Sequence, residues 1–184
     1  MKRAADVILS LIGLVILLPV FLIAAFAIVL DSGFPVFFKQ QRVGLNGRKF
    51  GMFKFRSMRQ NAAASGPYFT QANDVRITKV GQLLRRTSID ELPQLINVLL
   101  GDMSLVGPRP DVPVQESLYS TQDWKLRCSV RPGITGLAQV NGRSNLPFED
   151  RLAMDLDYAR QACIWLDMKI IWQTARQLGG KHAN

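Results

Sequence analysis

Arg85–Pro110 reads RRTSIDELPQLINVLLGDMSLVGPRP and decides how the rest of the chain is understood. It sets two adjacent carboxylates, Asp90 and Glu91, between the arginine pair Arg85 and Arg86 and a proline-bracketed Arg109. Leu92, Leu95, Ile96 and Leu99 recur at helical spacing, which predicts a helix with one apolar face just after the acids. Pro93 suits its first turn and Gly101 its stop. Acids at such a place are held ionised by a magnesium ion or a cationic group, beside arginines that suit an anionic substrate. A plainer reading competes. Ser88 with Glu91 three residues on matches a capping box. Pro93 weakens that reading, because with Ser88 as the cap the proline falls past the first turn.

The chain has 184 residues, one domain's worth, and a formal net charge of +9. That balance suits nucleic acid, acidic lipid headgroups or phosphorylated substrates. Cys128 and Cys163 form no CxxC pair, so a reducing compartment is expected. The single histidine, His182, lies three residues from the end of the sequence. A Ser/His/Asp triad and a histidine zinc site are thereby excluded, which leaves carboxylates, Lys, Arg or a carboxylate-bound metal.

Between Asp6 and Asp31 no residue is charged, and the run is long enough to enter the hydrocarbon core of a bilayer. A cleaved signal peptide is one reading, discounted because the apolar run continues past Ala25 and Ala27. A spanning helix and a helix broken at Pro19 that re-enters the same leaflet are the others. Lys2 and Arg3 precede the run, and Lys39, Arg42, Arg48 and Lys49 follow it, so both ends prefer one side. The kink of a central proline fits re-entry.

Val36–Val43 and Lys49–Met58 flank Gly44, Leu45, Asn46 and Gly47, and the second run alternates Phe53 and Phe55 with Lys54 and Arg56. A β-hairpin follows, either purely structural or a cationic platform near headgroups or phosphates. Asn61–Asp74 reads as a surface loop. Val80, Leu83 and Leu84 give a short helical face that delivers Arg85 and Arg86 to the acids. Prolines around Arg109 stiffen its backbone and aim the guanidinium. Arg131 and Arg143 lie on further constrained turns, whose glycines would let backbone amides approach a phosphate. Surface pairing of these arginines with Asp111 or Asp150 is the alternative. From Pro147 onward the chain reads helical, with Phe148, Leu152, Leu156 and Ala159 on one face and Asp155 and Asp157 elsewhere. Ile164–Gln177 carries Trp165 and Trp172 with Lys169 and Arg176, and suits either a membrane interface or core packing.

The apolar N-terminus with its internal proline, KFRSM, SIDELPQLINVLLGDMSLVGPRP and RPGITGLAQVNGR together resemble the bacterial sugar transferase family, the monotopic phosphoglycosyl transferases. The resemblance covers nearly the whole chain. It implies transfer of a phosphosugar from a UDP-sugar to polyprenyl (undecaprenyl) phosphate with release of UMP, at the cytoplasmic face of the bacterial inner membrane. By the same matching Asp90 is the nucleophile, Glu91 binds Mg2+ with Asp90 beside it, Arg85 and Arg109 contact phosphate, and Arg131 and Arg143 face the UDP side. It further implies a re-entrant membrane helix over residues 1–34 and a catalytic domain over 35–184, in an α+β, mostly helical fold with a β-hairpin and interfacial amphipathic helices. Membrane lipid is an expected partner and nucleic acid is not; a homo-oligomer is left open. The resemblance is to the minimal catalytic form, without the multi-spanning extension of larger relatives. Leu18 stands where Ser is expected before Pro19, and Leu137 where Trp is common. Two rivals are a membrane-attached basic protein that binds nucleic acid or acidic lipid, and an enzyme that moves the sugar alone and releases UDP.

Overall fold

The computed structural model describes residues 1–60, 74–142 and 146–179. The expected loop over Asn61–Asp74, apart from Asp74, and the candidate Arg143 lie outside the described residues. The architecture is α+β with helices predominating. Helices α1 (Lys2–Ile16) and α2 (Leu18–Ser32) meet at Leu17 with a bend of 60°. Pro19 falls in the first turn of α2, where its missing N–H is harmless, so the bend precedes the proline. Among the described residues no single helix is long and apolar enough to cross a membrane, whereas the bent pair passes that test together by length and composition. Val15, Ile16, Leu18, Leu22 and Ile23 flank the bend and are exposed.

Both outer ends of the pair are fastened to the rest of the protein. At the α1 end, Lys2 pairs with Asp167 and donates to the Val106 carbonyl at 3.1 Å, while Arg3 donates to the Val98 carbonyl at 2.6 Å. Asp6, buried, accepts from Ser104 Oγ at 2.9 Å and from the Leu105 N–H at 3.1 Å. At the α2 end, Arg56 donates to the carbonyls of Ser32 at 2.8 Å and Phe34 at 2.9 Å. The carbonyls at and just past the C-terminus of α2 thus meet a cation, which also suits the negative end of the helix dipole.

Strands β1 (Phe37–Val43) and β2 (Lys49–Phe55) form the expected antiparallel hairpin, with Phe37 opposite Phe55 and Val43 opposite Lys49. Its turn is closed by Asn46 at φ 54° and Gly47 at φ 75°. The alternation read from Phe53 to Arg56 holds only in part. Phe55 is buried against Ala24, Ile28 and Leu84, but Arg56 is buried as well, because its guanidinium serves the end of α2.

Helix α3 (Lys79–Arg86) starts at Thr78, whose Oγ1 accepts from the Gly81 N–H at 3.0 Å. A Cβ on Gly81 would lie 2.0 Å from the Ser57 carbonyl oxygen, so glycine permits the contact between α3 and the end of the hairpin. Leu84 is buried and Val80 half-buried against α2, while Leu83, expected on the same face, is exposed: α2 covers only the 80–84 stripe. Helix α4 (Gln94–Leu100) begins after Pro93 and stops at Gly101, φ 95°, as expected. Its buried face differs from the apolar spacing, since Leu95, Asn97 and Val98 are buried and Leu92, Ile96 and Leu99 only half-buried. Asn97 is in the core because its amide replaces backbone partners. Its Oδ1 accepts from the Phe53 N–H at 2.8 Å and its Nδ2 donates to the Gly51 carbonyl at 2.9 Å, so α4 is riveted to β2.

Strand β3 (Ser104–Val106) pairs in parallel with β4 (Gly133–Thr135), and α5 (Thr121–Arg127) lies between them in sequence. Helices α6 (Leu137–Asn141), α7 (Phe148–Gln161) and α8 (Ile164–Gly179) complete the fold. In α7 Leu156 is buried as expected, but Asp155 is too, at 2% exposure, because Arg127 reaches it from α5. In α8 one side is core, with Ile170 and Asp167 buried, and Trp165, Met168 and Trp172 are exposed on the other. The core-packing reading of that helix therefore holds for one side of it.

Candidate active site

Asp90 and Glu91 lie on one 3₁₀ turn, Ile89–Glu91, that precedes α4. The capping box is not formed: Ser88 is left-handed at φ 57° and its side chain makes no cap bond. The Glu91 carboxylate turns instead to two cations. Its Oε1 accepts from Lys54 Nζ at 2.8 Å and from Arg109 Nη2 at 2.7 Å. Lys54 is supplied by β2 and Arg109 by the Gly107–Pro110 segment after β3. Arg85, in the last turn of α3, donates through Nε to Ser57 Oγ at 2.8 Å and lies close enough to Asp90 to favour its ionised form.

Burial raises the pKa of Asp90; Lys54 opposes that, Glu91 adds to it, and Arg85 and Arg109 oppose it. Burial also acts to raise the pKa of Glu91, but Arg109 and Lys54 outweigh it and the pKa is lowered. Burial lowers the pKa of Lys54 despite Glu91. Two neighbouring carboxylates are thus pushed in opposite directions, the pattern that separates roles within a carboxylate pair. One consequence concerns stability. A depressed carboxylate pKa stabilises the fold above the unfolded value of 4.5, and that contribution is lost as pH falls towards the folded value. In the metal-free protein Glu91→Gln is therefore expected to lower the melting midpoint at pH 7. The gap from wild type should narrow below about pH 4.5, as thermal melts across pH would show.

The stiffness around Arg109 has a structural source that prolines alone do not supply. Arg127, buried, donates through Nη2 to the Arg109 carbonyl at 2.6 Å and pairs with Asp111 at 2.9 Å and Asp155 at 3.0 Å. The Tyr119 hydroxyl donates to Asp111 at 2.6 Å. Asp111 is thus paired, in the interior, with a different arginine from the three read as candidates. The glycines near Arg131 also have a structural use. A Cβ on Gly133 would lie 2.1 Å from the Gly107 nitrogen, and one on Gly136 2.2 Å from the Gly107 carbonyl oxygen. The Gly133 N–H donates to the Pro108 carbonyl at 2.9 Å. These glycines let two backbones touch and so hold the arginine segment.

The structure brings Asp90, Glu91, Arg85 and Arg109 together. Arg131 donates through Nε to the Gly101 carbonyl at 2.9 Å, at the C-terminal end of α4, whereas the dyad precedes its N-terminal end. Lys54 was read only as part of a cationic platform, although its strand alternation carried the signal. Arg127 had no sequence signal, because its partners are 16 and 28 residues away.

Among the described residues no group of three or more His, Cys, Asp or Glu could hold a metal. Magnesium needs less, since it is commonly held by one or two carboxylates with waters and substrate phosphates. Glu91 Oε1 is taken by two cations, but Oε2 has only a 3.5 Å contact with Arg109. Glu91 Oε2 is thus the Glu91 atom that a magnesium ion could use, with further ligands needed from outside the protein.

The family model for bacterial sugar transferases matches residues 1–181. A UDP-glucose:undecaprenyl-phosphate glucose-1-phosphate transferase of Xanthomonas campestris pv. campestris is 48% identical over 192 residues, covering 99% of this chain and 40% of the relative. The enzyme of the same name from Escherichia coli (strain K12) is 44% identical, covering 95% of this chain and 39% of the relative. A UDP-N-acetylgalactosamine-undecaprenyl-phosphate N-acetylgalactosaminephosphotransferase of Aeromonas hydrophila is 40% identical, covering 96% and 43%. The chain thus spans about two fifths of the length of these relatives. With the match running almost end to end, the chain belongs to the bacterial sugar transferase family.

Proposed function

We propose that this protein transfers a phosphosugar from a UDP-sugar to polyprenyl phosphate, releasing UMP and forming a polyprenyl-diphosphate sugar. The observation that carries the reading is the opposed pair: a buried Asp90 with a raised pKa beside a Glu91 held anionic by Lys54 and Arg109. The reaction joins two anions, so cations must surround the reacting phosphorus. Asp90 is poorly solvated, which makes its carboxylate a better nucleophile than one in water. An Asp90 oxygen attacks the phosphorus that bears the sugar, the bond from that phosphorus to the bridging oxygen breaks, and UMP leaves. An oxygen of the acceptor phosphate then attacks the same phosphorus and frees the Asp90 carboxylate. Neither step needs a protein base, consistent with a chain whose single histidine lies near its end. Arg109 and Arg85 hold phosphate oxygens, Lys54 keeps Glu91 in place, and Glu91 with Asp90 would hold magnesium, which neutralises phosphate charge when bound.

The bent pair supports a re-entrant seat in the cytoplasmic face of the membrane. Its two ends are held by one body and its bend is apolar and exposed. That seat puts the site where a lipid-borne phosphate arrives.

The test is nucleotide release by the detergent-purified protein from a pool of UDP-sugars with magnesium. Sustained UMP release that requires polyprenyl phosphate is expected; sustained release of UDP would mean that the sugar alone moves. In the same assay Arg109→Ala should lower kcat by about 10²–10³-fold, the usual loss for one charge-stabilising donor.

A further inference from the structure

Arg42 is not among the residues assigned above, and its surroundings are unusual. It projects from β1 opposite Phe50, on the strand that pairs with the one carrying Lys54. Its Nη1 donates to the Pro110 carbonyl at 2.9 Å, next in sequence to Arg109, and its Nη2 donates to Gln40 Oε1 at 2.7 Å. Neither partner carries a charge. Its Nε is buried and has no hydrogen-bond partner. A guanidinium has five N–H donors, so the protein leaves this one under-used.

Its charge is compensated only in part, by Asp111 and Glu91. Arg109 lies close enough to repel it, and the nearby carboxylates Asp111 and Glu91 are committed to Arg127 and to Lys54 and Arg109. Burial and the charge of Arg109 together lower the Arg42 pKa to about 10. Around the dyad, Arg42, Lys54, Arg85 and Arg109 stand against Asp90, Glu91 and, shared with Arg127, Asp111. The cation excess suits a phosphate. Arg42 from the hairpin bonds the backbone of the segment that carries Arg109 and lies close enough to feel its charge, so two guanidiniums of the kind that suit phosphate oxygens stand near one another.

We propose that Arg42 is a second phosphate-binding arginine that, with Arg109, engages a substrate phosphate beside the dyad. The inference rests on the phosphosugar-transfer reading for its ligand class. The phosphate belongs either to the donor diphosphate or to the acceptor monoester, and the test separates these.

Binding of inorganic pyrophosphate and of a short-chain prenyl phosphate to the full chain in detergent would be measured by titration calorimetry, with Arg42→Gln and Arg42→Lys variants. Arg42→Gln is expected to weaken one of the two ligands at least tenfold and the other less. Loss on the pyrophosphate arm assigns Arg42 to the donor, and loss on the prenyl phosphate arm to the acceptor. Arg42→Lys keeps the charge without the planar fork and should weaken the same ligand severalfold; it serves alone if Arg42→Gln does not fold. Unchanged affinity for both ligands in a folded variant, with wild type binding them, would overturn the role of Arg42 only. Wild type that binds neither ligand would overturn the phosphate-site reading beneath it.

Discussion

Asp90→Asn is expected to lower turnover by at least about 10³-fold, roughly 4 kcal/mol of barrier, while leaving the fold intact. The amide is nearly isosteric with the carboxylate and cannot form the acyl phosphate. The expectation of an intact fold follows from the charge analysis. Burial makes the ionised Asp90 costly, so above the ordinary carboxylate range its charge works against folding, and removing it should not lower the melting midpoint. Activity and stability therefore part company at this position. A variant that keeps substantial turnover would remove Asp90 from the chemistry, and one that unfolds would make its role structural.

Arg127→Ala should have the largest effect on stability. It leaves Asp111 and Asp155 facing each other in the interior with no cation between them, and removes a donor from the Arg109 carbonyl. Breaking such a buried pair costs about 3–5 kcal/mol, which for a domain of this size lowers the melting midpoint by roughly 10 °C. Turnover should fall as well, even below the melting range, because Arg109 loses the anchor that aims it. Arg127→Lys keeps a charge but reaches fewer of the three acceptors, so an intermediate loss is expected. A melting midpoint unchanged in Arg127→Ala would mean that the network contributes little and that Arg109 is positioned by its prolines.

Much of this arrangement was legible before any coordinates. The hairpin was marked by period-two alternation around a Gly and Asn turn, the end of α4 by Gly101, and the dyad by its arginines on both sides. What periodicity could not show was where charge is buried. Asp155 falls off the apolar face of its helix and Arg56 alternates with the phenylalanines of its strand, and patterns of apolar residues place only apolar faces. Both are interior because a distant group satisfies them: Arg127 for Asp155, and the carbonyls ending α2 for Arg56. Asn97 escaped for the same reason, since a buried amide that replaces backbone partners breaks the apolar pattern of its helix. Gly133 and Gly136 make room for another backbone, and nothing in a sequence says whether a glycine does that or admits a ligand. Leu83 was placed on the buried face because a short helix offers three plausible stripes, and only the packing of α2 selects one.

The chemistry proposed for Asp90 divides transfer into two displacements, and only the first requires the donor. Mass spectrometry of the intact protein after exposure to the productive UDP-sugar, with magnesium and without acceptor, tests this most directly. The account predicts a mass gain equal to one phosphosugar, located on the peptide containing Asp90, with close to one UMP released per protein and none of either in Asp90→Asn. An unmodified wild-type protein that releases UMP only when polyprenyl phosphate is added would contradict it, and would point to direct attack of the acceptor on the donor.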